Sequence, residues 1–465
     1  MDFSETYKHS GPCAWSPNGR MLATAVDFRL VVRDADSLQV LQLFSCLDKI
    51  NQIEWASDST YILCALYKRS LIQVWSVAQP EWICKIDNGP AGLVHARWCP
   101  DGRGILATSS FQLKITFWSL VTKHSESLQW PKLVMRGVSF SHDGKFAAVA
   151  TRRDCKDFVN ILTSESWELV TRFEVGTADL ADLAWAPDDG SIAVWDSILD
   201  YKMLIYSPDG RLTAQYSAYE NALGIKTASW SPSGQFLAIG SFDQTARVLN
   251  HLTWRPFGEF IHTPTIRPNG AVAVYRELEE GRHVVLEGRA EGLTNGMQFR
   301  EAAAAAADAQ GAREGPTKAR YEVVDEQVVA VPNRKPEPDK PNPKQGIGLL
   351  EWSPDSQYLA TRNDSMPTAV WVWSMPSLEL TAVLIQKEPV KAATWDPTSA
   401  RLAIVTGTAR VFLWAPDGAS CVHVPLADFH AVGLRWNPAG NAFVLLDKDT
   451  FCCAFVPRTD EYEGH

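Results

Sequence analysis

Nine aromatic anchors, eight tryptophans and one phenylalanine, stand at nearly constant spacing along this chain, each followed by a short turn rich in Pro, Gly, Asp and Ser. They are Trp15, Trp55, Trp98, Phe140, Trp185, Trp230, Trp352, Trp395 and Trp436, in the phrases WSPNG, WASDS, WCPDG, FSHDG, WAPDD, WSPSG, WSPDS, WDPTS and WNPAG. The intervals between them read 40, 43, 42, 45, 45, 122, 43 and 41 residues, so a single interval breaks the rhythm. Self-similarity at this period restricts the chain to an array in which each unit covers the next.

Within each unit an apolar strand ends at the anchor, a turn follows, and then come strands such as RMLATAV or QFLAIGS and SLIQVWS or ARVLN. Four short strands cannot bury both of their faces alone, whereas radial stacking buries them and leaves short, protected edges. The pattern predicts an all-β, WD-type β-propeller of about eight or nine blade-like repeats. Nine anchors exceed the four to eight blades usual for one ring, so an enlarged ring, degenerate units and a split array all stay open. One large or imperfectly closed assembly is favoured, because two seven-bladed rings would need more units than the chain holds.

The period divides the chain into N-terminal blades over 1–260, an irregular region over 261–345, C-terminal blades over 346–457 and a polar tail over 458–465. In the irregular region AVAVY and YEVV are strand candidates, 277–318 is expected to be a mobile alanine-rich insertion and 332–343 a stiff proline-rich connector. The last unit, ending in TFCCAFV, is one outer strand short. The segment DFSETYKHS at the other end lies where it would supply that strand and close the ring.

The chain carries 54 acidic against 44 basic residues, a net charge of -10, and has no long Lys/Arg run. Direct binding to nucleic acid or to an anionic membrane surface is therefore not expected, and no apolar run is long enough for a membrane span. The nine cysteines form no CxxC pair, and most sit in strand patterns. They read as buried free thiols, with Cys452 and Cys453 on opposite faces of one strand. The ten histidines show no HExxH spacing, and GxSxG, GxxxxGK[ST] and GxGxxG are absent. No enzyme activity, cofactor or metal is expected.

What remains is binding through loops. Tyr67 and Arg69, then Arg152, Arg153 and Lys156, and then Arg362 follow inner strands in loops more charged than a turn requires. Aromatic and guanidinium groups crowded on one rim make good protein-binding anchors. Asp243, in GSFDQTARVLN, is assigned instead to holding a turn closed.

The phrases YKRSLIQVWS, RRDCKD, YSAYENALGIK, NPKQGIGLLEWSPDSQYLATRND and AVWVWS go beyond general repeat grammar. Through them the chain resembles the WD-repeat family of centrosome and spindle-pole proteins named in animals for being encoded antisense to the p53 gene, together with its fungal counterparts. The resemblance runs from the first repeat to the last. It implies a cytoplasmic, cytoskeletal adaptor at the centrosome or spindle pole body, working with a coiled-coil microtubule-anchoring protein. It also implies a minus-end-directed kinesin-14, bound directly or through that partner. The alternative function is substrate recognition or general scaffolding in another complex such as a ubiquitin ligase, whose substrate receptor would need a helical extension that the short termini do not offer.

Overall fold

In a computed structural model, which describes residues 1–268, 272–279, 319–335 and 343–457, the chain forms one ring of nine blades. The blades span 13–45, 52–87, 95–129, 138–174, 180–216, 225–261, 347–385, 392–423 and 433–455, and are numbered 1 to 9 here. Blades 1 to 8 each contain four antiparallel strands in chain order, and the first strands face one another around the axis. Second strands such as Met21–Val26 and Tyr61–Leu66 are apolar on both faces because a neighbouring blade covers each face. Fourth strands such as Leu169–Glu174 lie on the perimeter and alternate between exposed and half-buried residues.

The turn after each anchor is built from its own side chains. In blade 1 the Ser16 hydroxyl donates to Asn18 Oδ1 at 2.7 Å and accepts from the Met21 amide at 2.9 Å. Ser141 in blade 4 and Ser353 in blade 7 repeat the pattern with Asp143 and Asp355. Gly19 completes the blade 1 turn at φ +71°, where a Cβ would come within 2.5 Å of Asn437 Oδ1. That close approach lets the Asn437 side chain of blade 9 donate to the Gly19 carbonyl at 2.9 Å.

Six of the nine anchors staple their blade to the preceding one. The indole N–H of Trp55 donates to Ala14 O at 3.0 Å, and that of Trp98 to Glu54 O at 3.1 Å. Trp352 donates to Ser229 O, Trp395 to Glu351 O and Trp436 to Thr394 O, at 3.0–3.2 Å. Trp15 closes the circle by donating to Arg435 O at 3.1 Å. In every case the acceptor is the residue just before the preceding blade's anchor.

Hydrophobic clusters tell the same story from the side-chain interior. Among the described residues, nine clusters each join one blade to the next, including blade 9 to blade 1 through Cys13, Trp15, Leu22, Val444, Phe451 and Cys453. Cys452 packs toward blade 8 and Cys453 toward blade 1, so the adjacent thiols do face opposite ways. The ring is therefore single and closed rather than split. Blade 9 contributes three strands of its own, and Asp2–Phe3 and Tyr7–Lys8 pair with its strand Thr450–Phe455 as the missing outer strand.

The long interval is absorbed at the perimeter. Strand Ala273–Glu279 runs parallel to the outer strand of blade 7, Glu379–Ile385, and Ala319–Val323 pairs antiparallel with it, so that sheet has six strands. The AVAVY and YEVV segments thus extend an existing blade instead of forming a unit of their own. Residues 277–279 belong to this sheet, whereas 280–318, most of the connector (336–342) and the tail from 458 lie outside the described residues. Buried Glu277 meets Arg410 of blade 8 at 2.5 Å, and Tyr321 packs on Phe412 with ring centroids 5.2 Å apart, fixing the added strands across blades 7 and 8.

These contacts set up three stability tests. Trp55→Phe removes the N–H that bonds Ala14 O across the blades, at a cost of about 0.5–1.5 kcal/mol beyond the volume change. Trp230→Phe carries the same volume change, but its N–H has no acceptor among the described residues. Thermal melting should therefore place Trp55→Phe clearly below Trp230→Phe, and equal melting would refute the staple. Because Glu279 and Ala319 are register partners, replacing 280–318 with an Asn-Gly turn should leave the melting temperature unchanged. Tyr321→Ala should destabilise by about 3–5 kcal/mol in denaturant unfolding.

Candidate functional site

The two faces of the ring differ in origin. One carries the turns that follow the anchors, and these bond to one another around the ring: the Asn18 amide donates to Ser59 Oγ at 3.1 Å and Ser57 Oγ to Pro100 O at 2.9 Å. The other, the crossover face, carries the turns between second and third strands together with the links from blade to blade. Tyr67, Arg69, Arg152, Arg153, Lys156, Asp243 and Arg362 all belong to the crossover face, but in blades 2, 4, 6 and 7.

Their environments separate them. Tyr67 is half-buried, its hydroxyl donating to Gln52 Oε1 at 2.6 Å, and burial raises its pKa above the usual phenol value. Arg69 is exposed and reaches Asp48 at 3.1 Å. Arg362 turns inward, donating to Val390 O of the link to blade 8 at 2.8 Å and to Asp364 at 3.0 Å, while Asp364 also holds Lys226 of blade 6 at 2.7 Å. Arg362 thus joins three consecutive stretches of the ring. Asp243 accepts from Ser241 Oγ at 2.6 Å, from the Thr245 amide at 3.2 Å and from Arg247 Nη2 at 2.6 Å, which closes its turn.

The residues of blade 4 stand apart. Arg152 Nη1 lies 2.7 Å from Asp179 and 3.3 Å from Asp157, and Lys132 contacts the same two carboxylates. Asp157 is buried and accepts from the Leu180 amide at 2.7 Å, so it ties blade 4 to blade 5. The hydrogen bond from Lys132 and the nearby Arg152 charge pull the Asp179 pKa below the usual carboxylate range. Arg153 and Lys156 point outward, 66% and 59% exposed, with Arg153 3.6 Å from its neighbour Asp154 and Lys156 2.9 Å from Glu174.

Beside them opens a cavity of about 590 Å³ bounded by blades 3, 4 and 5. It is lined by Arg152, Arg153, Asp154 and Cys155 of blade 4, by Phe111 of blade 3 and by Trp130 of the link between those blades. Phe111 is 90% exposed and Trp130 58% exposed, and both hold left-handed backbone, at φ +57° and +61°. Neither aromatic is marked by periodicity. The available signal is positional: Phe111 occupies the turn where blades 1, 4 and 6 carry Asp27, Asp154 and Asp243, and an apolar side chain there has no turn-closing role.

Among the described residues no group of three or more His, Cys, Asp or Glu is placed to hold a metal ion, and no helix is long and apolar enough to cross a membrane. The arrangement supports recognition through side chains displayed on a rigid rim.

The WD domain, G-beta repeat family model matches residues 206–250, which cover most of blade 6. A WD repeat-containing protein of Schizosaccharomyces pombe is 25% identical over 231 residues, 46% of this chain and 47% of that protein. The mouse WD repeat-containing protein WRAP73 is 46% identical over 466 aligned residues, covering 100% of this chain and 97% of the mouse protein. A nine-bladed propeller over its described residues, the chain belongs to the family of the WD repeat-containing protein WRAP73.

Proposed function

We propose that this protein is an adaptor of the cytoskeleton, working in the cytoplasm at the centrosome or spindle pole body. On this reading it holds a coiled-coil microtubule-anchoring protein and, directly or through it, a kinesin-14 motor, so that microtubule minus ends are anchored and the mitotic spindle is organised. The observation that carries the proposal is the family relationship over the whole ring, because a partner-binding role belongs to the assembled surface rather than to one repeat. A closed ring with two differently built faces and an open perimeter gives two partners separate places to sit. The acidic chain makes direct attraction to the acidic surface of a microtubule unfavourable, so a bound partner would supply that contact.

The test is to tag the full chain at its C-terminus in dividing cells, image it with a pole marker and purify its complexes for mass spectrometry. Pole localisation with recovery of a coiled-coil anchoring protein and a kinesin-14 is expected. Diffuse signal, with ubiquitin-ligase subunits dominating the purified material, would overturn the assignment.

A further inference from the structure

We infer that the cavity across blades 3, 4 and 5 is a docking groove for an acidic linear segment of a partner protein, one that inserts apolar side chains between Phe111 and Trp130. This deepens the adaptor reading by naming the surface and the chemistry it selects.

Exposed, left-handed aromatics are the first support. Non-glycine residues seldom adopt φ near +60°, and exposed apolar groups that share one cavity form a patch suited to binding. Phe111 and the adjacent Gln112 are both left-handed, and so is Trp130, which directly precedes Pro131. The Trp130 backbone is held on both sides: its amide donates to Leu113 O at 3.1 Å and its carbonyl accepts from the Arg152 amide at 3.2 Å. Trp130 is thus anchored by its backbone beside a cavity large enough for several side chains, which Phe111 also lines. Met135, 67% exposed, extends the apolar rim along the link to blade 4.

Charge selects the occupant. Of the charged side chains that line the cavity, Lys132, Arg152 and Arg153 are cations and Asp154 and Asp179 carboxylates, on a chain whose net charge is -10. The carboxylates are also the better satisfied side: Asp157 and Asp179 already bind Lys132 and Arg152, whereas Arg153 stands over the groove beside a single exposed neighbour. An acidic residue flanking the inserted apolar groups would pair with Arg153, while the rings supply the buried anchors that dominate such interfaces.

The probe is a phage-displayed library of random 16-residue peptides, selected on the purified full chain and followed by fluorescence anisotropy on synthetic copies of the enriched peptides. Selection should yield peptides with two apolar positions and net negative charge. Phe111→Ala and Trp130→Ala should each weaken binding at least tenfold without changing the melting temperature. Arg153→Glu should weaken acidic peptides and improve copies in which the acidic residue is replaced by Lys. Absence of any enriched family overturns the proposal, as does equal binding to both aromatic variants or equal binding by poly-glutamate. The pole assignment is judged separately by imaging: a pole-localised protein with no groove-dependent peptide sinks the groove alone, and groove-dependent peptides with a diffuse protein sink the pole assignment alone.

Discussion

The indole N–H that crosses from one blade to the next converts a sequence period into a ring. Trp55, Trp98, Trp352, Trp395, Trp436 and Trp15 each donate to the carbonyl one residue before the preceding anchor. The bond forms only if neighbouring inner strands stand in the same register, so each tryptophan both buries apolar surface and measures alignment. Burial supplies most of the energy, since one such hydrogen bond contributes only about 1 kcal/mol net. Direction is what the bond adds, because apolar packing alone tolerates sliding.

Three consecutive blades depart from this rule. Phe140 has no N–H to give, and Arg97 of blade 3 instead stacks over its ring at 4.8 Å. Trp185 donates within its own turn, to Asp189 O at 3.3 Å, while its amide takes Ser139 Oγ at 3.0 Å. Trp230 meets Trp254 edge to face at 5.9 Å. Polar links replace the staples there: Asp189 accepts from the His142 and Asp143 amides, and buried Asp157 spans blades 4 and 5. The groove lined by Phe111 and Trp130 lies over two of these same three blades, with blade 3 as its third wall, where alignment rests on charge and side-chain hydroxyls instead of indoles.

Features encoded by local repetition were legible in the sequence. The anchors predicted blade type and approximate number, the short final unit predicted closure by the N-terminal segment, and alternation predicted that Cys452 and Cys453 face different neighbours. Features decided by distant pairing were not. Nothing in AVAVY says that Ala273 to Arg276 will run parallel to Ala382 to Ile385, since that choice depends on the vacant outer edge of blade 7. Charge alone likewise does not distinguish Arg153, which points outward, from Arg362, which bonds to Val390 O. Phe111 was missed because its significance lies in a positive φ and in solvent exposure, neither of which leaves a periodic trace.

The broken interval shows which part of the repeat is indispensable. Trp352 follows Trp230 at an interval of 122 residues, yet it still donates to Ser229 O at 3.2 Å, as though no insertion existed. The chain leaves after the fourth strand of blade 6 and returns before the first strand of blade 7, and strands Ala273–Glu279 and Ala319–Val323 lie at the outer edge of blade 7 without entering the inner register. Ala273–Glu279 and Ala319–Val323 then cover an edge that would otherwise stay open, and they bind blade 8 through Glu277 and Tyr321. A propeller can thus gain sequence at its rim without losing closure, provided each new blade begins where the previous tryptophan's carbonyl neighbour expects it.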